Sequence, residues 1–211
     1  MNQQELLYAL ALQHVPKIGS TNAKKLVRSC GSAEAVFQEK RANLLKIDGI
    51  GQLSIEGLHH KTHMQEATQE LEFIREEQIH VHYFTSDTYP ERLKHCIDGP
   101  LLLFSRGNIK LENKHTISVV GARKATSYGV EFCNQLVTAL SAYNPVIVSG
   151  FAYGIDIAAQ KAALNNNLQT IGCLAHGFNQ IYPKTHAKYV NDIEAHGGFY
   201  TDFWSCLLYT S

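Results

Sequence analysis

Three Gly-bearing segments hold the residues best suited to chemistry in this chain. Gly121-Ala122-Arg123-Lys124-Ala125-Thr126 follows an apolar run and leads into a helix-forming stretch. Gly150-Phe151-Ala152-Tyr153-Gly154 does the same, and His176-Gly177-Phe178-Asn179-Gln180 follows a third apolar run. Glycine lets a backbone approach a ligand closely, and a loop entering a helix offers N–H groups to an anion. Arg123 adds a cation, and Asp156 lies where a carboxylate complements a helix N-terminus. Tyr128 and Tyr182 can serve as stacking platforms or as loop packing. Together these groups suit a phosphate or a nucleic-acid backbone. No GxGxxG occurs, so no dinucleotide cofactor is expected.

Other chemistries find less support. His59, His60 and His63 are neighbours on a helix, yet no Cys or carboxylate cluster stands at ligand spacing, so they read as a solvated polar face and no metal is expected. Cys133 and Cys173 fall in a helix-forming and a strand-forming stretch, where a buried thiol acts as a small hydrophobe. The five Cys include no CxxC pair, against both a disulfide framework and a zinc ribbon.

The elements that must position the three loops alternate. Strands are expected at Thr116–Val120, Pro145–Ser149, Gln169–Ala175 and Gly198–Phe203, with helices at Ser127–Tyr143, Ile155–Asn165 and Thr185–His196. Short, wholly apolar strands with crossover-length helices point to an α/β fold: a parallel sheet with helices on both faces and right-handed crossovers. Ligands then bind at the carboxyl ends of the strands, where the three loops lie. Upstream, His80–Ser86 reads as a strand and Pro100–Phe104 as an apolar run. Residues 3–80 read as short helices, the longest over Ser54–Gln78. Two turns there, Val15–Gly19 and Ile47–Gly51, resemble helix-hairpin-helix turns, with Lys17, Lys24 and Lys25 near the first. A plain αα-hairpin that uses Gly to reverse direction is the other reading. The expected division is a helical domain over 1–79 and an α/β domain over 80–204.

Bulk composition narrows the classes. The 211 residues carry 19 Lys+Arg against 19 Asp+Glu, so any nucleic-acid site must be local. At 45% hydrophobic the chain is globular and not disordered. No apolar run nears the roughly 20 residues of a membrane helix, and the polar start lacks a signal-peptide core, which points to the cytoplasm.

The loops also carry a resemblance. Ser118-Val119-Val120-Gly121-Ala122-Arg123-Lys124-Ala125-Thr126-Ser127-Tyr128-Gly129 resembles the first signature of the DNA-processing protein A (DprA, or Smf) family. Ser149-Gly150-Phe151-Ala152-Tyr153-Gly154-Ile155-Asp156 is similar to its second. Tyr89-Pro90 through Asp98-Gly99-Pro100 to Gly107-Asn108, and Ile181-Tyr182-Pro183-Lys184, also match, so the likeness runs from about residue 5 to Trp204. It implies a Rossmann-like domain behind a small helical, SAM-like one, and a cytoplasmic protein without a known catalytic step. Such a protein binds and shields single-stranded DNA, helps load the RecA recombinase during natural transformation, and is a homodimer at full length. By position, Arg123 would contact the phosphate backbone, beside Gly121, Ala122, Lys124, Thr126 and Tyr128. Ser149, Gly150, Gly154 and Asp156 would form the pocket floor, and Tyr182 and Lys184 a further DNA-contacting pair.

There are departures. Ala122 and Tyr153 stand where many members have Ser and a basic residue, and Gln160 replaces a frequent His. The family's Rossmann domain continues beyond Phe203-Trp204, which implies a C-terminally truncated chain with a bared strand edge. Residues 205–211 read as a translated sequencing-adapter sequence and are set apart from the fold. A related Rossmann group, the nucleoside-monophosphate phosphoribohydrolases, is the alternative, but its Pro-Gly-Gly-x-Gly-Thr-x-x-Glu is missing from the 211 residues.

Overall fold

The computed structural model describes residues 1–112 and 114–205. The chain divides into two compact units, Met1–Leu103 and Phe104–Ser211.

In the first unit six helices precede any strand: α1 (Gln3–His14), α2 (Ser20–Cys30), α3 (Ala33–Gln38), α4 (Arg41–Leu44), α5 (Gln52–Ile55) and α6 (Lys61–Glu76). Local signals start them. The Asn2 side chain accepts the Glu5 N–H at 2.7 Å, and Ser32 accepts the Ala35 N–H at 3.0 Å. Helix α1 buries four consecutive residues, Ala9, Leu10, Ala11 and Leu12. Its second half is therefore enclosed all round rather than along one stripe. Glu5 fastens the unit together, accepting the Ala33 N–H at 2.7 Å, the Glu34 N–H at 3.2 Å and the Tyr83 hydroxyl at 3.0 Å. Burial and that carboxylate push the Tyr83 phenol far above its ordinary range.

The helix expected over Ser54–Gln78 is interrupted. Helix α5 ends at Ile55, and α6 begins only after His60 in extended conformation. Gly57 lies in the break, where a Cβ would touch Val15 and His63 at 3.7 and 3.8 Å. Leu58 is buried while both flanks turn. Periodicity continues across such a break because the same side stays buried. The unit also holds β1 (His80–Tyr83) and α7 (Glu91–Lys94), and the division from the second unit falls inside β2 (Leu102–Gly107).

The remaining elements are β3 (Thr116–Ser118), α8 (Ser127–Leu140), β4 (Val146–Ser149), α9 (Ile155–Asn165), β5 (Thr170–Cys173), α10 (Val190–His196) and β6 (Gly197–Thr201). Short 3-10 turns follow α8 (Ser141–Tyr143) and precede α10 (Lys184–Tyr189). Among the described residues the sheet has six strands in the order β1-β2-β6-β5-β4-β3. Strands β3 to β6 are parallel neighbours, each joined to the next through one helix, as expected of an α/β fold. One neighbour in the sheet is antiparallel and was not foreseen. Strand β2 runs antiparallel to β6, with Phe104 opposite Thr201 and Gly107 opposite Gly198. An apolar run such as 100–104 reports burial but not direction, and its partner lies almost a hundred residues away.

Small side chains let the crossover helices approach closely. Ala158, Ala159, Ala162 and Ala163 of α9 pack with Cys133 and Val137 of α8 over Ile147 and Leu168. Helix α8 begins at Thr126, whose hydroxyl accepts the Gly129 N–H at 3.1 Å.

Candidate nucleic-acid interface

Adjacent parallel strands bring their carboxyl-end loops together, and here the backbone locks them. Ser149, the last residue of β4, donates its hydroxyl to the Val119 carbonyl at 2.7 Å. The Ile155 N–H, the first of α9, donates to the Ala122 carbonyl at 3.3 Å. Gly154 lies in the left-handed region (φ 82), and a Cβ there would stand 2.0 Å from the Ala122 carbonyl oxygen and 2.6 Å from that of Arg123. Gly121 packs on the Ile155 side chain. Gly150 covers the buried Asp156, whose Oδ2 would lie 2.6 Å from a Cβ at Gly150. The 3-10 turn that follows the third loop is tied to the second. The His186 Nδ1 lies 3.0 Å from the Phe151 carbonyl, and the Thr185 hydroxyl donates to the Tyr153 hydroxyl at 3.4 Å. His176, also buried, accepts the Tyr182 N–H on Nε2 at 3.3 Å.

The two helix N-termini at this edge differ. At α9 the first turn is largely closed by the loops: Ile155 donates to Ala122, Ile157 to Ala152 and Ala158 to Gly154. At α8 Thr126 satisfies Gly129, while the Ser127 and Tyr128 N–H groups have no acceptor among the described residues. Arg123 and Lys124 are exposed just ahead of that open terminus, and neither has an ion-pair partner among the described residues. Two cations, two open N–H groups and a helix dipole make a site for anions. Tyr128 is 78% exposed, and its ring stacks on Phe132, which is 54% exposed, with centroids 6.5 Å apart. The cavity behind the third loop, bounded by Phe151, His176, Phe178 and Phe199, holds about 10 Å³, room for one water at most. The cations and the aromatic pair thus belong to an open edge, not to an enclosed pocket.

The structure therefore gathers Gly121, Ala122, Arg123, Lys124 and Thr126 in the first loop, with Ser149, Gly150, Gly154 and Asp156 beneath or beside them. Tyr182 and Lys184, both exposed, lie on the third loop and the turn after it. Sequence reasoning missed Phe132 and His186. Phe132 follows Tyr128 by four residues, a spacing that could have marked it as the same helix face. Nothing local marks His186 as the residue that anchors the Phe151 loop.

This pattern of loops meets a known family. The model of the DNA recombination-mediator protein A family matches residues 80–206. The chain belongs to that family.

Among its relatives are the DNA processing protein DprA of Bacillus subtilis, 36% identical over 58% of this chain, and a putative DprA of Mycobacterium tuberculosis, 37% identical over 53%. Those matches span 41% and 29% of the two relatives, so this chain covers well under two thirds of their length. DprA from Streptococcus pneumoniae shares the fold with a TM-score of 0.73 at 25% identity, over 94% of this chain and 68% of that one. A structure of DprA from Helicobacter pylori, concerned with its single-stranded DNA binding mode, superposes with a TM-score of 0.54 at 26% identity, over 62% of this chain and 58% of the other.

Within this recombination-mediator fold Gln160 stands out. It is fully buried in α9, and neither its Nε2 nor its Oε1 has a hydrogen-bond partner among the described residues. A buried unpaired amide costs about 1–3 kcal/mol. Gln160→Met, similar in volume, is expected to raise unfolding stability by about that amount. Urea denaturation checks it, and an unchanged midpoint would show that the amide is satisfied in solution.

Two of the remaining side groups, His63 and Cys173, are placed differently from the sequence reading. His63 is buried and meets His14 and Glu66 rather than standing on a solvated face with His59 and His60. His14 and Glu66 pair at 2.8 Å. Burial, and then the nearby His14, hold the His63 imidazole below its ordinary pKa. Cys133 is buried and its thiol pushed up by desolvation, whereas Cys173 is exposed, contrary to expectation. No helix among the described residues is long and apolar enough to cross a membrane.

Proposed function

We propose that this chain is a single-stranded DNA-binding module of a recombination mediator, with phosphates held by the first loop and bases stacked beside them. One observation carries the reading: unpaired Arg123 and Lys124, the open N-terminus of α8 and the exposed Tyr128–Phe132 pair lie together at one sheet edge. Aromatic faces accept any base, while cations and N–H groups follow the backbone. Lys184 and Tyr182 extend the same edge through the turn anchored by His186. The Helicobacter pylori relative, described for its single-stranded DNA binding mode, supports this reading. In it no residue is catalytic and no cofactor is needed. The full-length protein would be a cytoplasmic homodimer that shields incoming single-stranded DNA and helps load the RecA recombinase.

The test is binding of a fluorescent single-stranded oligonucleotide across a salt series, with duplex DNA and AMP as competitors. Affinity is expected to fall steeply with salt, by about 0.7 logarithmic units per decade for each phosphate neutralised. Neither competitor should displace the oligonucleotide efficiently. Displacement by AMP with release of free base would replace this reading with a nucleotide hydrolase, and no binding at all would leave a structural scaffold.

A further inference from the structure

A second concentration of positive charge lies wholly within the Met1–Leu103 unit. Helix α2 presents Lys24, Lys25 and Arg28 to a cleft of about 200 Å³, closed on its other side by Lys94, His95 and Ile97 at and after α7. Sequence reading assigns Lys24 and Lys25 to the turn at Gly19, and nothing local connects them to Lys94, some seventy residues away.

The cleft is built rather than incidental. Lys24 is only 5% exposed, and its Nζ donates to the Cys96 carbonyl at 3.4 Å. The Thr21 hydroxyl donates to the Ile97 carbonyl, also at 3.4 Å, so both walls are held at a set spacing. Lys25 is steadied by the Asp48 carbonyl at 3.2 Å, and the Arg28 guanidinium lies 5.3 Å from the Phe84 ring centroid. Carboxylates temper the charge only in part. Glu91 pairs with Lys94 at 2.8 Å and approaches His95 at 3.8 Å, and Asp98 acts on Lys24 from a distance. Burial, and next Arg28, hold the Lys24 ammonium below its ordinary pKa, while Asp98 acts in the opposite direction. Such a group is relieved by a polyanion. Ile97, 81% exposed at the rim, offers apolar surface to a sugar or base.

We propose that this cleft is a second phosphate-backbone site for single-stranded DNA, separate from the loop edge of the other unit. It rests on the single-stranded DNA reading above, and adds to it a binding surface within the Met1–Leu103 unit.

The intact chain and its Lys94→Ala, Arg28→Ala and Arg28→Lys variants, each checked by thermal melting, are titrated with labelled oligo(dT), beside Arg123→Ala. Lys94→Ala and Arg28→Ala are expected to weaken binding several-fold at low salt and to lower the salt slope by about 0.7 for each phosphate no longer neutralised, while Arg28→Lys retains most of both. Lysine acetylation followed by mass spectrometry locates the bound strand directly. Saturating oligo(dT) should slow modification of Lys25 and Lys94 several-fold, in the Arg123→Ala background as well as in the parent. Unchanged affinity, slope and acetylation, with Arg123→Ala still weakening binding, would overturn the cleft alone. Equal protection by inorganic phosphate at matched phosphate concentration would make it a free-anion site and overturn the DNA assignment. If no variant or parent binds the oligonucleotide, the function proposed above and this inference fall together.

Discussion

Replacing Gly154 with alanine is expected to destabilise the second unit by about 2–6 kcal/mol and to abolish binding at the loop edge. Two terms contribute. The backbone at Gly154 has φ 82 and ψ −125, close to a region that only glycine enters freely, and a side chain there costs about 1–3 kcal/mol. The added Cβ would also meet the Ala122 carbonyl oxygen at 2.0 Å and that of Arg123 at 2.6 Å. Backbone atoms cannot rotate aside, so the two loops must separate, at a further cost of about 1–3 kcal/mol or more. Arg123 would then lose the position that the Ile155-to-Ala122 hydrogen bond gives it. Gly129→Ala is the control: it lies within α8, and its nearest neighbour would stand at an ordinary 3.4 Å. Helix propensity there favours alanine by about 1 kcal/mol. Urea denaturation of both variants decides the matter. A Gly154→Ala protein as stable as the parent would mean that the loops do not pack as described.

Removing the Arg123 side chain should cost the most affinity with the least effect on the fold. Arg123 is exposed and has no ion-pair partner among the described residues, so its loss leaves no orphaned charge behind. A hydrogen bond to a charged group contributes about 1.5–3 kcal/mol, which converts to roughly 10- to 150-fold in the dissociation constant. The weakening should shrink as salt rises, because the released counterions dominate the affinity. Lys184→Ala, on a single flexible cation further along the edge, is expected to act in the same direction but less strongly. Anisotropy at two salt concentrations separates these effects. Equal affinity of parent and Arg123→Ala at low salt would move the site away from the first loop.

The open aromatic face of α8 bears on both results. Tyr128 and Phe132 share it, with Leu136, 38% exposed, a further turn along. An apolar face of this length beside the exposed Arg123 and Lys124 is consistent with bases stacking near its N-terminal end.

How much of this could be read without a structure depends on the range of each interaction. The loops at Gly121 and Gly150 were legible because glycine after a short apolar run, followed by helical spacing, is a local pattern. Helix α9 begins and ends where that pattern puts it, at Ile155 and Asn165. The alternation of strand and helix from Thr116 onward, and thus the parallel β3-to-β6 core, was equally local. Three features were not. Strand β2 joins β6 in the opposite direction, His186 anchors the Phe151 loop, and Lys94 comes to face Arg28. Each joins segments that no periodicity links, and the pairing is chosen by which distant surfaces bury together. Residue order by itself determined where the Gly-bearing loops follow the strands. Tertiary packing alone decided that α9 spends its first N–H on Ala122 of the neighbouring loop while α8 keeps two without an acceptor among the described residues, because only the close approach of Gly154 to Ala122 brings that carbonyl within reach.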